Sequence, residues 1–257
     1  MEETAYAKIN LALRVRGRRD DGYHNIDTLF AFAETGDRLS VADGRGITLR
    51  TSGPFAGRLD DVDDNLVLRA ARLLGGGDAA LTLAKRLPVA AGLGGGSADA
   101  AAALRLLNRW WRLGLGETEL LELARRIGAD VPACLLSRTI RGTGRGDRLV
   151  RIRQQFAGQP LLLVNPGVAL PTAQVFERWA GVRGGGNDLE PPAREMVPEI
   201  GEVIDRLLAQ PGMRLARMSG SGPTCFALFD SEASRDSAWA AIGRARPGSW
   251  RLASRLR

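Results

Sequence analysis

Four of the five residues from Gly92 to Gly96 are glycine, and an alanine-rich run begins directly after them. Glycines reach positive φ and carry no side chain that would hold a ligand away from the backbone. A helix starting at about Ser97 would aim unpaired N–H groups and the positive end of its dipole at this loop. Together they make an anion site suited to phosphates. The loop lacks the Gly-Lys-Ser/Thr of a Walker A motif, and the third glycine of the dinucleotide spacing falls on Ser97. A flexible loop with Ser97 as helix cap is the competing reading.

Other residues could act beside such a site. All of the 36 basic residues are arginine except Lys8 and Lys85. A chain that uses arginine almost everywhere kept a compact ammonium at Lys8. Asn10, two residues on, shares its face if the segment is a strand. Asp130 precedes Val131-Pro132, so its carboxylate could cap a helix with proline in the first turn, or serve as a base there. Tyr23 and His24 follow an Asp21-Gly22 turn. Their rings suit a planar base with polar edges, or they are plain turn residues. Phe176, four residues beyond Thr172, reads by itself as core. Gly220 and Gly222 let a loop approach phosphate or substrate, or form a tight turn. Asn187 and Asp188 read as turn or cap residues. His24 is the only histidine, and Cys134 and Cys225 have no metal spacing. That leaves little room for a Ser-His-Asp triad or a multi-histidine metal centre.

Strands and helices alternate around these residues. Residues 4–15 alternate as a strand, and a second strand follows Asp21-Gly22. The segments DRLSVADG and GITLRTSG read as a hairpin. Residues 65–74 have helical spacing with Asn65 as N-cap. Residues 78–89 read as a strand entering the glycine loop, 97–110 as a helix, and 116–128 as another helix closed by Gly128. Beyond a boundary near 150–158, PLLLVNPG is a buried strand and PTAQVFERWAG a short helix. GVRGGGNDLEPPA reads as a loop, VPEIGEVIDRLLAQ as an amphipathic helix, ARMSGSGPTCFALFD as loop and strand, and EASRDSAWAAIGRA as the last helix.

Composition sets wider bounds. At 257 residues, 44% hydrophobic and 25% charged, the chain can bury a sizeable core in one or two domains. No apolar run is long enough for a membrane span, and the acidic N-terminus lacks the apolar stretch of a signal peptide. A reducing cytoplasm is the expected compartment. The net charge of +7 hints at nucleic acid, but the arginines are spread along the chain. The densest cluster, Arg14 to Arg19, holds no aromatic residue for stacking bases.

The stretch LPVAAGLGGGSADAAAAL resembles the phosphate-binding motif of the GHMP kinases. AYAKINLAL resembles their N-terminal substrate and catalytic strand, and ARMSGSGPTCFALF their C-terminal glycine loop. KINLALRVRGRRDDGYHNIDTLF, IGADVPACL, RGTGRGDRL and NPGVALPTAQVF are similar to the branch of this family that takes a cytidylylated sugar-alcohol phosphate. The resemblance covers roughly residues 4–230, with its motifs in order.

The resemblance implies an α+β, two-lobed GHMP kinase fold. An N-terminal ribosomal-protein-like domain, 1–153, would carry the ATP loop and catalytic residues. A C-terminal ferredoxin-like α/β sandwich would occupy 154–257. It implies Lys8 and Asp130 as catalytic residues. ATP would be bound by Pro88, Val89, Ala90, Ala91, Gly92, Leu93, Gly94, Gly95, Gly96, Ser97 and Ala98. Substrate would be bound by Asn10, Tyr23, His24, Thr172, Phe176, Gly220 and Gly222, with the cytosine between Phe176 and the Tyr23-His24 segment. The cofactor would be ATP with Mg²⁺, whose ligands the sequence does not identify. The expected reaction is ATP-dependent phosphorylation of a 2-hydroxyl in the non-mevalonate route to isoprenoid precursors. The expected state is a monomer or weak homodimer, without nucleic acid or membrane. A different GHMP kinase, acting on homoserine, mevalonate or a sugar, would leave the Tyr23, His24 and Phe176 set without a role. A nucleic-acid module would leave the glycine loop, Lys8 and Asp130 without one.

Overall fold

The computed structural model describes residues 1–59, 65–153, 156–181, 183 and 185–257. The chain divides into two compact units. The first is made of Met1–Lys8, Thr35–Val89 and Gly94–Ser137. The second is made of Ile9–Glu34, Ala90–Leu93 and Arg138–Arg257. The expected boundary at 153/154 falls at residue 154, outside the described residues, as do parts of the segment expected to be a loop at 181–193.

Two long strands, β1 (Glu2–Arg18) and β2 (His24–Ala42), run through both units. In the first unit the later part of β2 pairs with β4 (Ala79–Ala84), which also pairs with β3 (Ile47–Ser52). The hairpin expected of DRLSVADG and GITLRTSG does not form. DRLSVA continues β2, and β4 lies between the two segments, parallel to β3. The cause is the intervening helix α1 (Leu66–Leu74), which returns the chain in the same direction as a crossover requires. Asn65 caps α1, its side chain accepting from the N–H of Val67 at 2.9 Å.

Helix α2 (Gly95–Trp110) explains the alanine run. Ala98 and Ala100 to Ala103 are all buried, and such small side chains let neighbours pack close on every side. α1, α3 (Glu117–Ile127) and α4 (Val131–Leu136) all pack against it. α2 starts two residues before Ser97. Gly94, with φ 60°, turns the chain into the helix, so Ser97 lies inside the first turn and is not the cap.

In the second unit the start of β2 pairs with β5 (Ile140–Gly144), and β5 with β6 (Arg148–Arg151). A separate antiparallel sheet is formed by β7 (Pro160–Asn165), β8 (Met213–Met218), β9 (Cys225–Phe229) and β10 (Trp250–Arg255), in the order β10-β7-β9-β8. Three short helices, α5 (Thr172–Glu177), α6 (Glu190–Met196) and α7 (Glu199–Leu208), separate β7 from β8. Helix α8 (Glu232–Ala245) precedes β10. α7 and α8 pack on this sheet through Val203, Ile204, Leu207, Ala238 and Ile242. The strand order is that of a ferredoxin-like sandwich, as expected. The end of the segment read as a loop, residues 190–193, is instead the start of α6, because both of its prolines fall in the first turn where no N–H is needed.

Candidate active site

The first unit brings Lys8 and Asp130 together. Lys8 lies in the fully buried middle of β1 and is 4% exposed. Its Nζ is 3.0 Å from Oδ2 of Asp130. Asp130 occupies the N-cap position of α4, and its main-chain oxygen accepts from Cys134 N–H at 3.0 Å. Its carboxylate makes no cap hydrogen bond. The side chain is thus an ion-pair partner at a helix start, about a third exposed (32%) and open to a further ligand.

The glycine segment starts in the same unit and is anchored by its apolar side chains. Pro88, Ala91, Leu93 and Ala98 are buried, while Ala90 and Gly96 are exposed. Ala90, Gly92 and Gly94 have φ of 52°, 73° and 60°, so every second residue is left-handed. Such alternation turns successive N–H groups to one side and favours anions. At the start of α2, the first turn has N–H groups with no intrahelical acceptor. A Cβ on Gly94 would stand 2.8 Å from Cε of Lys8. A Cβ on Gly95 would stand 3.3 Å from Nζ of Lys85, while one on Gly96 would meet only Leu66, at 3.6 Å. Within the first unit the start of α2 therefore lies close to the buried Lys85 ammonium, and its free N–H groups can take an anion. Among the described residues no cluster of three His, Cys, Asp or Glu side chains could hold a metal ion.

The second unit holds all seven of the expected substrate residues. Gly92 lies against the loop that carries Gly220 and Gly222, where a Cβ would stand 2.4 Å from the Ser219 oxygen. Ser219 donates to the Gly92 oxygen at 3.0 Å and accepts from the Asn10 N–H at 3.2 Å. The Asn10 amide donates to Thr28 at 2.8 Å. Thr172 and Ser221 hydroxyls are 2.7 Å apart. Asn187 donates to the oxygens of Met218 and Gly220, at 2.9 and 2.8 Å, and so holds the same loop. Asp188 accepts from Arg14 at 2.7 Å and from the Val15 N–H at 3.0 Å.

His24 stacks on Phe176, with ring centroids 4.9 Å apart and planes at 26°. Trp179 meets His24 edge-on at 6.2 Å. Burial, then the charge of Arg18, lowers the His24 pKa below its ordinary 6.5, which favours the neutral imidazole. Tyr23 is exposed and lies under the Arg145 guanidinium at 5.1 Å. Trp179 and Ser219 drew no attention in the sequence. Ser219 sits inside the quoted C-terminal motif, so its position was the available signal.

Models of the GHMP kinase N-terminal and C-terminal domains match residues 65–138 and 172–247. A curated relative from Rhizorhabdus wittichii, a 4-diphosphocytidyl-2-C-methyl-D-erythritol kinase, is 55% identical over 99% of this chain and 94% of its own. The chain belongs to the GHMP kinases, in their 4-diphosphocytidyl-2-C-methyl-D-erythritol kinase group. A relative of the same name from Novosphingobium aromaticivorans is 49% identical, covering 100% of this chain and 93% of its own. A crystal structure of 4-(cytidine 5'-diphospho)-2C-methyl-D-erythritol kinase is similar with a TM-score of 0.82 at 36% identity, covering 100% of this chain and 99% of that one. As a GHMP kinase the chain is a small-molecule kinase that uses ATP. Among the described residues no helix is long and apolar enough to cross a membrane.

Proposed function

We propose that this kinase phosphorylates the 2-hydroxyl of 4-diphosphocytidyl-2-C-methyl-D-erythritol, giving the 2-phosphate and ADP in the non-mevalonate isoprenoid pathway. The observation that carries the chemistry is the Asp130 carboxylate, uncapped at its helix start and paired with Lys8. The relatives' names carry the choice of substrate.

Phosphoryl transfer is mostly positioning and charge neutralisation. Asp130 accepts the proton of the attacking hydroxyl while that oxygen bonds to the γ-phosphorus. The bond from the γ-phosphorus to the bridging oxygen breaks, and the electron pair leaves with ADP. Lys8 offsets the negative charge that gathers on the oxygens. The N–H groups of the Gly94–Ala98 turn hold the nucleotide phosphates. Mg²⁺, when bound, would supply further neutralisation, and Ser97 in the first turn of α2 has a hydroxyl that could help hold it. His24 and Phe176 take the cytosine, a base replacing one ring face of the present stack. Asn10, Thr172, Gly220 and Gly222 line the remaining substrate path, and Tyr23 covers the base from outside.

We retain 153/154 as the functional division, since the two family matches lie on either side of it. We further propose a cytoplasmic monomer or weak homodimer without nucleic-acid or membrane partners. The test is to incubate the protein with ATP, Mg²⁺ and the cytidylylated substrate and follow phosphorus resonances. A new monoester on the 2-oxygen is the expected product. A phosphate elsewhere, or none, contradicts the reading.

A further inference from the structure

Both lysines of this arginine-dominated chain end beside the start of α2, and the reaction just described uses only one. Lys85 is 2% exposed, so it does not touch nucleotide. Its ammonium is 2.5 Å from Oδ2 of Asp37 and 2.8 Å from Oδ2 of Asp99. The other oxygen of Asp37 accepts from the N–H groups of Arg86 and Leu87, at 2.5 and 2.8 Å. The cluster therefore ties three segments of the first unit together: β2 at Asp37, the exit of β4 at Lys85–Leu87, and α2 at Asp99.

Two carboxylates around one ammonium are an expensive way to stabilise a core. Apolar side chains of similar volume commonly do as well or better. The cluster is also incompletely paired, since Oδ1 of Asp99 is buried without a hydrogen-bond partner among the described residues. What such a cluster provides is position. Sliding α2 along β4 would break the buried Lys85–Asp99 contact and leave both groups without their partner. The ammonium lies beneath Gly95, the first residue of α2, where a Cβ would stand 3.3 Å from it. At this end of the helix the first N–H groups have no intrahelical acceptor.

We propose that Lys85, held by Asp37 and Asp99, is a positioning residue for the nucleotide phosphates: by tying β2, the exit of β4 and α2 together it fixes the first turn of α2. The proposal rests on residues 88–98 being the ATP site. It has a linked consequence. Burial is the main cause that pushes the Asp99 carboxyl up to about 7, against the attraction of Lys85 and with the help of Asp37. The groups facing it are Lys85 after β4, Asp37 on β2 and the thiol of Cys134 on α4, which burial keeps protonated. A phosphate held at the start of α2 favours the protonated Asp99, and by reciprocity that proton favours the phosphate.

The test is ADP binding, measured by calorimetry with Mg²⁺ from pH 6 to pH 8, for the wild type, Lys85→Met and Asp99→Asn. Lys85→Met should weaken ADP about tenfold or more, within the usual range of coupling between sites. Asp99→Asn keeps the shape and the acceptor for Lys85 but cannot ionise. The ratio of wild-type to Asp99→Asn dissociation constants should therefore rise about threefold from pH 6 to pH 8. A folded Lys85→Met that binds ADP within twofold of wild type overturns the proposal. If Lys85→Met does not fold, Asp99→Asn decides, and a flat ratio overturns it. Failure of the underlying ATP-site reading looks different: Gly94→Ala would then leave ADP affinity unchanged.

Discussion

Lys8 Nζ stands 3.0 Å from Asp130 Oδ2, and the lysine stem runs so close to Gly94 that a Cβ there would lie 2.8 Å from Cε. One lysine side chain thus pairs with Asp130 through its ammonium and passes Gly94 with its stem. Because the Asp130 carboxylate makes no cap bond, its removal should leave α4 intact. Asp130→Ala should lower kcat by about a hundredfold or more with little change in thermal midpoint, as loss of a general base does. Turnover within a few-fold of wild type would reduce Asp130 to a structural residue. Lys8→Arg should be equally impaired, since a planar fork does not fit beside Gly94. Near-normal activity of that variant would remove the lysine from the mechanism.

The glycines of the loop should differ in sensitivity. Gly94 is left-handed and touches the Lys8 stem, whereas Gly96 is exposed and a Cβ would make only ordinary contact with Leu66. Gly94→Ala should carry a backbone cost of about 1 kcal/mol and displace Lys8, lowering both kcat and ATP affinity. Gly96→Ala should retain most activity. Steady-state kinetics of the two variants side by side decides this, and equal losses would contradict it. Gly95→Val should act differently from a simple block of phosphate space, because its side chain would point at Lys85.

The ring pair predicts a substrate-dependent defect. Phe176→Ala and His24→Ala should each cost about 1–3 kcal/mol in kcat/KM, by analogy with base–aromatic stacking. That loss should largely vanish with methylerythritol 4-phosphate, which lacks the cytidylyl group. Equal losses on both substrates would show that the rings serve only the fold. Binding of the cytidylyl group should also weaken in acid, below the ordinary histidine range, as His24 takes a proton.

Much of this was legible in the residues, for physical reasons that differ from site to site. The Gly92–Gly96 run and the alanines of α2 are local signals, and local geometry answered them. Lys8 stood out because the chain so rarely uses lysine. The same rarity marked Lys85, yet its partners Asp37 and Asp99 come from β2 and α2, and no spacing rule links them. The hairpin expected of residues 37–53 failed because β4, separated from both segments in sequence, took the place between them. His24 and Phe176 lie far apart in the chain, and no spacing rule links them; the resemblance put them about one base, and the fold stacks the two rings directly.

Asp99 gives a stability prediction with a definite sign. Its carboxyl is raised from 3.8 to about 7 in the folded protein, so the folded state holds the proton longer than the unfolded chain. Its contribution is fully present below about pH 4 and is lost as pH rises through 7. A shift of this kind amounts to a few kcal/mol, on the order of 1.4 per unit. Asp99→Asn should therefore gain thermal midpoint relative to wild type more at pH 8 than at pH 5. Melting curves at the two values check this, and a difference that does not grow toward pH 8 would contradict it.

The most direct measurement is kcat/KM for ATP-dependent ADP release with 4-diphosphocytidyl-2-C-methyl-D-erythritol, compared with methylerythritol 4-phosphate, mevalonate and homoserine. The account predicts turnover of the cytidylylated compound at least about a hundredfold more efficient than the rest, since recognition energy from the remote base orients the reacting hydroxyl. Comparable or better turnover of mevalonate, homoserine or the uncytidylylated compound would contradict it.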